Sequence, residues 1–119
     1  MAIGVDIVEI SRVKKAIENP AFLSRVYTEA ERAYCDARSA GRAASYAARW
    51  AAKEAVMKLF GTGLSGGRLV EIEIKNESSG APFVVLTGNF KKIADNLGVE
   101  TIEISLSHSR EYAVAVASA

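Results

Sequence analysis

The alanine-rich run from Arg42 to Leu59 constrains this chain more than any other feature. Ala44, Ala48 and Ala52 recur every four residues, and Ala47, Ala51 and Ala55 form a second stripe beside them. Alanine has the highest helix propensity, and this spacing puts each set on one face of a helix. Adjacent stripes of methyl groups let another element come close to the helix axis. Phe60-Gly61-Thr62-Gly63 follows, with a glycine suited to the left-handed cap that ends many helices.

The segments on either side supply that other element. Ile3, Val5, Ile7 and Val8 predict a short strand that Asp6 ends or interrupts. Ser11 caps a helix from Arg12 to about Glu18, closed by Asn19-Pro20, and a second short helix spans Ala21 to Val26. Thr28 with Glu31 three residues later is a capping box opening a helix to about Ala37, and Ser39-Ala40-Gly41 breaks the chain. Beyond the long helix, Val70, Ile72 and Ile74 alternate with Glu71, Glu73 and Lys75 as a half-buried strand does. Asn76 to Pro82 is a turn, Phe83 to Leu86 a strand, and Asn89 to Leu97 a helix backed by Gly98. Ile102, Ile104 and Leu106 alternate again, and Tyr112 to Ala117 is the last strand. The expectation is one α+β domain over residues 1–119, a mostly antiparallel sheet packed on the alanine-rich helix.

Charge and cysteine content exclude several function classes. Fifteen Lys and Arg face fourteen Asp and Glu, a net charge of +1, so the chain lacks the basic field that drives nucleic-acid binding. A lone cysteine, Cys35, makes no disulfide within the chain. The N-terminus has neither a basic segment nor a long apolar run, so no signal peptide or membrane span is expected and the expected location is cytoplasmic.

Each candidate for chemistry has a plainer reading beside it. Asp6 in an apolar strand is either a solvated strand end or a carboxylate held by a partner or a metal. Trp50, Glu54 and Lys58 share one helix strip, and Glu54–Lys58 by itself is a solvated pair worth a few tenths of a kcal/mol, ~0.3. Arg49 and Lys53 lie on a neighbouring strip and with Lys58 form a basic surface for an anion. Gly61-Thr62-Gly63-Leu64-Ser65-Gly66 spells G-x-G-x-x-G but follows a helix instead of a strand, so it is not a dinucleotide fingerprint. His108, the only histidine, sits between Ser107 and Ser109, a surface residue or an anion contact. Arg12, Lys14, Lys15 and Arg25 with Phe22 are a solvated face or a seat for an acidic protein.

Three segments together resemble one family. Gly4-Val5-Asp6-Ile7-Val8-Glu9-Ile10 resembles the N-terminal motif of the short group of 4′-phosphopantetheinyl transferases, the holo-acyl-carrier-protein synthases. Arg49-Trp50-Ala51-Ala52-Lys53-Glu54-Ala55-Val56-Met57-Lys58 resembles their central motif, continued by Phe60-Gly61-Thr62-Gly63. Ile104-Ser105-Leu106-Ser107-His108-Ser109 resembles their C-terminal motif. The likeness runs in order over nearly the whole chain.

It implies the 4′-phosphopantetheinyl transferase fold and a reaction that moves the phosphopantetheine arm of coenzyme A onto a serine of apo acyl carrier protein, releasing adenosine 3′,5′-bisphosphate. By resemblance Asp6 and Glu54 are ligands of Mg²⁺, which two carboxylates plus waters and phosphate oxygens commonly hold, and Lys58 stands at the pyrophosphate. Arg49, Lys58, Gly61, His108 and Ser109 fall at coenzyme A-binding positions, and Arg12, Phe22 and Arg25 at positions that meet the carrier protein. The resemblance also implies a homotrimer with sites at subunit boundaries. Glu54 or a metal-bound water is the base. The rival reading is a catalytically silent carrier-binding module of the same fold.

Overall fold

The computed structural model describes Met1–Ala119. In chain order the elements are β1 (Ile3–Glu9), α1 (Ile10–Ala16), α2 (Pro20–Val26), α3 (Glu29–Asp36), α4 (Arg42–Phe60), β2 (Ile72–Asn76), β3 (Pro82–Leu86), α5 (Gly88–Leu97), β4 (Glu103–His108) and β5 (Tyr112–Ser118). The fold is α+β, and every strand pairing is antiparallel. One sheet has the order β1-β5-β4, and β2-β3 is a separate hairpin.

The alanine stripes of α4 explain the assembly. Ala47, Ala51, Ala52 and Ala55 are fully buried, as are Ala113, Ala115 and Ala117, which alternate along one face of β5. Methyl groups on both sides bring α4 close to β1 and β5, the two strands on which it packs. Gly4 on β1 takes this furthest, because a Cβ there would collide with the Ala55 carbonyl oxygen and lie 2.7 Å from the Leu59 nitrogen. Gly61, at φ 73°, caps α4 in the left-handed conformation that β-carbons disfavour. Thr28 and Glu31 form the expected capping box on α3.

The strands and first helix depart from the sequence expectations in three places. Asp6 does not end β1, since pairing with β5 carries the strand through it to Glu9. Ser11 caps nothing, because α1 already begins at Ile10, and it closes at Ala16, before Glu18. The alternation from Val70 does not start a strand there, since Leu69–Glu71 is a 3₁₀ turn and β2 begins at Ile72.

The face of the sheet turned away from α4 is apolar. Ile3, Val5 and Ile7 on β1 are 63%, 52% and 63% exposed, with Val116 and Tyr112 of β5 alongside. An antiparallel sheet with one solvated face ordinarily turns polar residues outward, and this face instead exposes apolar ones.

Candidate active site

Asp6 lies on the α4 side of β1, opposite Ala115. Its side chain is 14% exposed, and Oδ1 accepts a hydrogen bond from Lys58 Nζ at 2.9 Å. The same ammonium donates to the Val5 carbonyl at 3.1 Å. Asp6 is therefore a held carboxylate and not a solvated strand end. Glu54 stands one turn before Lys58 on α4, and the solvated Glu54–Lys58 pair is not formed, because Lys58 has turned to β1. Burial raises the Glu54 pKa above the ordinary carboxylate value, the neighbouring Asp6 charge raises it further, and Lys58 pulls it back. Two carboxylates close enough to repel one another, one of them bonded to a lysine, are a pair that could hold a divalent cation.

These carboxylates open into a cavity of about 400 Å³ lined by Asp6, Glu54, Arg12, Phe22 and Trp50 among others. The Phe22 and Trp50 rings pack with centroids 5.7 Å apart, and the Arg25 guanidinium lies 5.9 Å from the Phe22 centroid. Asn19 caps α2 by accepting from the Ala21 amide, with Pro20 at the first helical position. The cavity wall thus holds Arg12 and Phe22 with Asp6 and Glu54, while Arg25 lies outside it against Phe22. Trp50 joins that wall, and its place on the Glu54 strip was the only sequence sign of it.

Arg49 and His108 meet elsewhere. They line a cleft of about 270 Å³ with Tyr34, Arg38, Ser45 and Asn76. His108 is exposed, whereas Arg49 is 3% exposed. Ser109 turns away from this cleft, its Oγ accepting from the Tyr112 amide at 3.2 Å. Gly61 is exposed at the far end of α4. The cleft and the carboxylate cavity share no lining residue.

Lys53 corrects the expected basic surface. It is fully buried, and its Nζ donates to Glu31 Oε1 at 2.8 Å and to the Leu69 and Ile72 carbonyls at 3.0 and 2.6 Å. Glu31 also accepts from the Thr28 and Ile74 amides, so one carboxylate caps α3 and ties it to α4 and β2. Every donor of this ammonium has a partner inside the protein, which leaves it none for an anion. Asn76 and Tyr34 went unnoticed in the sequence, since one reads as a turn residue and the other as part of a helix.

Comparison with known proteins identifies the family of the chain. Residues 2–117 match the family described as the 4′-phosphopantetheinyl transferase superfamily. The holo-[acyl-carrier-protein] synthase of Ruminiclostridium cellulolyticum is 51% identical over 98% of this chain and 90% of its own length. Among solved structures, the Helicobacter pylori holo-[acyl-carrier-protein] synthase in complex with coenzyme A superposes with a TM-score of 0.84 at 29% identity, covering 97% of this chain and 96% of that one. The Bacillus anthracis holo-(acyl-carrier-protein) synthase in complex with CoA (3′,5′-ADP) gives a TM-score of 0.80 at 31% identity, covering 98% and 92%.

Proposed function

The chain belongs to the 4′-phosphopantetheinyl transferase superfamily, as an enzyme of the holo-[acyl-carrier-protein] synthase kind, and on that premise we propose its reaction in detail. It transfers 4′-phosphopantetheine from coenzyme A to a serine hydroxyl of apo acyl carrier protein, with Mg²⁺, and releases adenosine 3′,5′-bisphosphate. The observation that carries this reading is the meeting of Asp6, Glu54 and Lys58 beside a cavity rimmed by Arg12 and Phe22.

The serine oxygen attacks the phosphorus bearing the pantetheine arm, and the bond to the adenosine bisphosphate breaks. Asp6 and Glu54 would hold the cation, which when bound offsets charge on the pyrophosphate and on the leaving group. Lys58, held by Asp6 and the Val5 carbonyl, would neutralise a pyrophosphate oxygen. The serine must lose its proton. Of the side chains lining the cavity only Asp6 and Glu54 can accept it, and Glu54, whose carboxylate is partly desolvated, is the proposed base. Arg49 and His108 receive the nucleotide phosphates in their own cleft. The carrier's acidic surface meets Arg12 and Arg25, with Phe22 as the apolar contact.

The proposed active form is a homotrimer in the cytoplasm. Two features support a site shared between subunits: the apolar outer face of β1 and β5, and the separation within one chain of the Arg49 cleft from the carboxylate cavity. No helix is long and apolar enough to cross a membrane. Mass spectrometry of apo carrier protein incubated with the enzyme, coenzyme A and Mg²⁺ tests the reaction. The carrier gains about 340 Da, the mass of the transferred arm. A carrier that binds the enzyme with no gain in mass is the outcome a silent binding module gives.

A further inference from the structure

Arg49 is a buried cation without a carboxylate partner. Its guanidinium is held on three sides by neutral groups. Nη1 donates to Ser45 Oγ at 3.4 Å, and Ser45 Oγ in turn donates to Cys35 Sγ at 3.3 Å, so the hydroxyl turns a lone pair toward the arginine. Nη2 donates to Asn76 Oδ1. The Tyr34 ring lies beneath the plane, its centroid 4.2 Å from Arg49 Cζ, with Arg38 at 5.3 Å from the same ring. Nε is buried with no hydrogen-bond partner. A buried guanidinium left with a free N–H and no counter-charge lacks what such groups normally find.

The holding is directional. Asn76 presents its oxygen to Arg49 because its own Nδ2 donates to the Gly80 carbonyl at 2.9 Å. Gly80 belongs to the β2–β3 turn, which is closed by the Glu77 amide on the Ala81 carbonyl and the Gly80 amide on the Glu77 carbonyl. A flipped amide would set an NH₂ against the guanidinium and an oxygen against the Gly80 carbonyl, two repulsive contacts in place of two hydrogen bonds. Tyr34 adds a face that attracts the cation while taking none of its N–H groups. Ser45 and Asn76 take two of the five guanidinium N–H groups, and the Tyr34 ring fixes the plane of the fork.

We propose that Asn76 and Tyr34 are positioning residues for coenzyme A, holding Arg49 in the wall of its cleft so that the uncompensated guanidinium meets a phosphate oxygen of the nucleotide. The inference rests on the reading of Arg49 as a nucleotide-phosphate residue. Neither residue touches the reacting atoms, and their effect is on binding, since donors set in place beforehand need no reorganisation when the anion arrives.

The test combines Asn76→Ala, Tyr34→Leu, Tyr34→Phe and Arg49→Ala with the double variants carrying Arg49→Ala. Three measurements are made on each: KM and kcat for coenzyme A at saturating carrier protein, calorimetric affinity for adenosine 3′,5′-bisphosphate, and thermal melting. The first two substitutions should raise KM and weaken the bisphosphate by about tenfold, as loss of a charged hydrogen bond or a cation–π contact does, with kcat within about twofold. Tyr34→Phe, which keeps the ring, should match the wild type. In the Arg49→Ala background neither substitution should add more than about twofold, because residues acting through one another are not additive. A full effect of Asn76→Ala or Tyr34→Leu in that background shows that they act on the fold, and overturns the proposal. So does wild-type KM for both when Arg49→Ala is impaired. Wild-type KM in Arg49→Ala itself removes the reading of Arg49, and the proposal with it.

Discussion

Lys58 Nζ meets Asp6 Oδ1 at 2.9 Å across 52 positions of sequence, and passes over Glu54 on its own helix. The lysine thereby bridges α4 to β1 and leaves Glu54 the less compensated of the two carboxylates. Glu54 feels both neighbours, since the Asp6 charge adds to the effect of burial in raising its pKa and Lys58 lowers it.

Asp6→Ala and Glu54→Ala should each abolish transfer while preserving the fold, since both side chains face the cavity instead of filling the core. Loss of cation positioning is expected to cost several kcal/mol, about a thousandfold or more in rate. Lys58→Ala should lower kcat strongly, though less than either carboxylate variant. Carrier modification followed by mass spectrometry, beside circular dichroism, checks this. Near-normal rate in either carboxylate variant removes that residue as a ligand.

The raised Glu54 pKa predicts a pH dependence with a definite sign. Folded Glu54 keeps its proton to higher pH than it does in the unfolded chain, where the ordinary value is 4.5. Folding therefore takes up protons between that value and the raised one, and stability falls as pH rises through the window. Glu54→Gln titrates nothing there, so its melting temperature should decline less than the wild type's from acid toward neutral pH. Mg²⁺ should restore the wild type selectively. Parallel curves for the two proteins would refute it.

Lys53 and Glu31 predict the opposite kind of result. Removing one partner leaves a buried charge uncompensated, so Lys53→Met should destabilise by about 3–5 kcal/mol in urea unfolding. Lys53→Met combined with Glu31→Leu should recover part of that loss. If Lys53→Met leaves stability unchanged and coenzyme A binding impaired, Lys53 faces ligand and the buried pair is wrong.

The exposed apolar face of β1 and β5 predicts an assembly. Ile3→Glu with Val116→Glu should sediment as a monomer where the wild type sediments as a trimer, and should lose nearly all transfer activity. A wild type that is active as a monomer at assay concentration removes the shared site.

Arg12 and Arg25 predict how the carrier binds. With a net charge of only +1, attraction of an acidic partner must be local, acting over a Debye length of about 8 Å at physiological salt. Reversing both to Glu should raise KM for the carrier protein and flatten its salt dependence, with a smaller change in KM for coenzyme A, because Arg12 also lines the carboxylate cavity. Phe22→Ala should weaken the carrier at every salt concentration alike. Unaltered carrier KM in the charge-reversed protein would place docking elsewhere.

Much of this arrangement was legible in the sequence where its cause is local. The stripes of α4, its glycine cap and the capping box of α3 follow from spacings of three and four residues, and alternation marked β4. What escaped depends on distant partners. The fate of Asp6 turned on pairing with a strand more than a hundred positions on, which carried β1 past a residue that disfavours strands. Lys53 reads as half of a surface strip because Glu31 and the Leu69 and Ile72 carbonyls, which bury it, come from two other parts of the chain. Asn76 has the composition of a turn, and only its amide's two-sided bonding connects that turn to Arg49.

The missing side chain at Gly4 sets a spacing. Asp6 follows it by two residues on β1, and the carbonyl that a Cβ would strike belongs to Ala55, the neighbour of Glu54. The strand-to-helix distance at this point is therefore the gauge of the gap between the two carboxylates. Any larger residue at position 4 would prise β1 from α4 and widen that gap, although it touches neither acid. Catalytic competence would then be lost through backbone separation alone, in a protein whose every reactive side chain is intact.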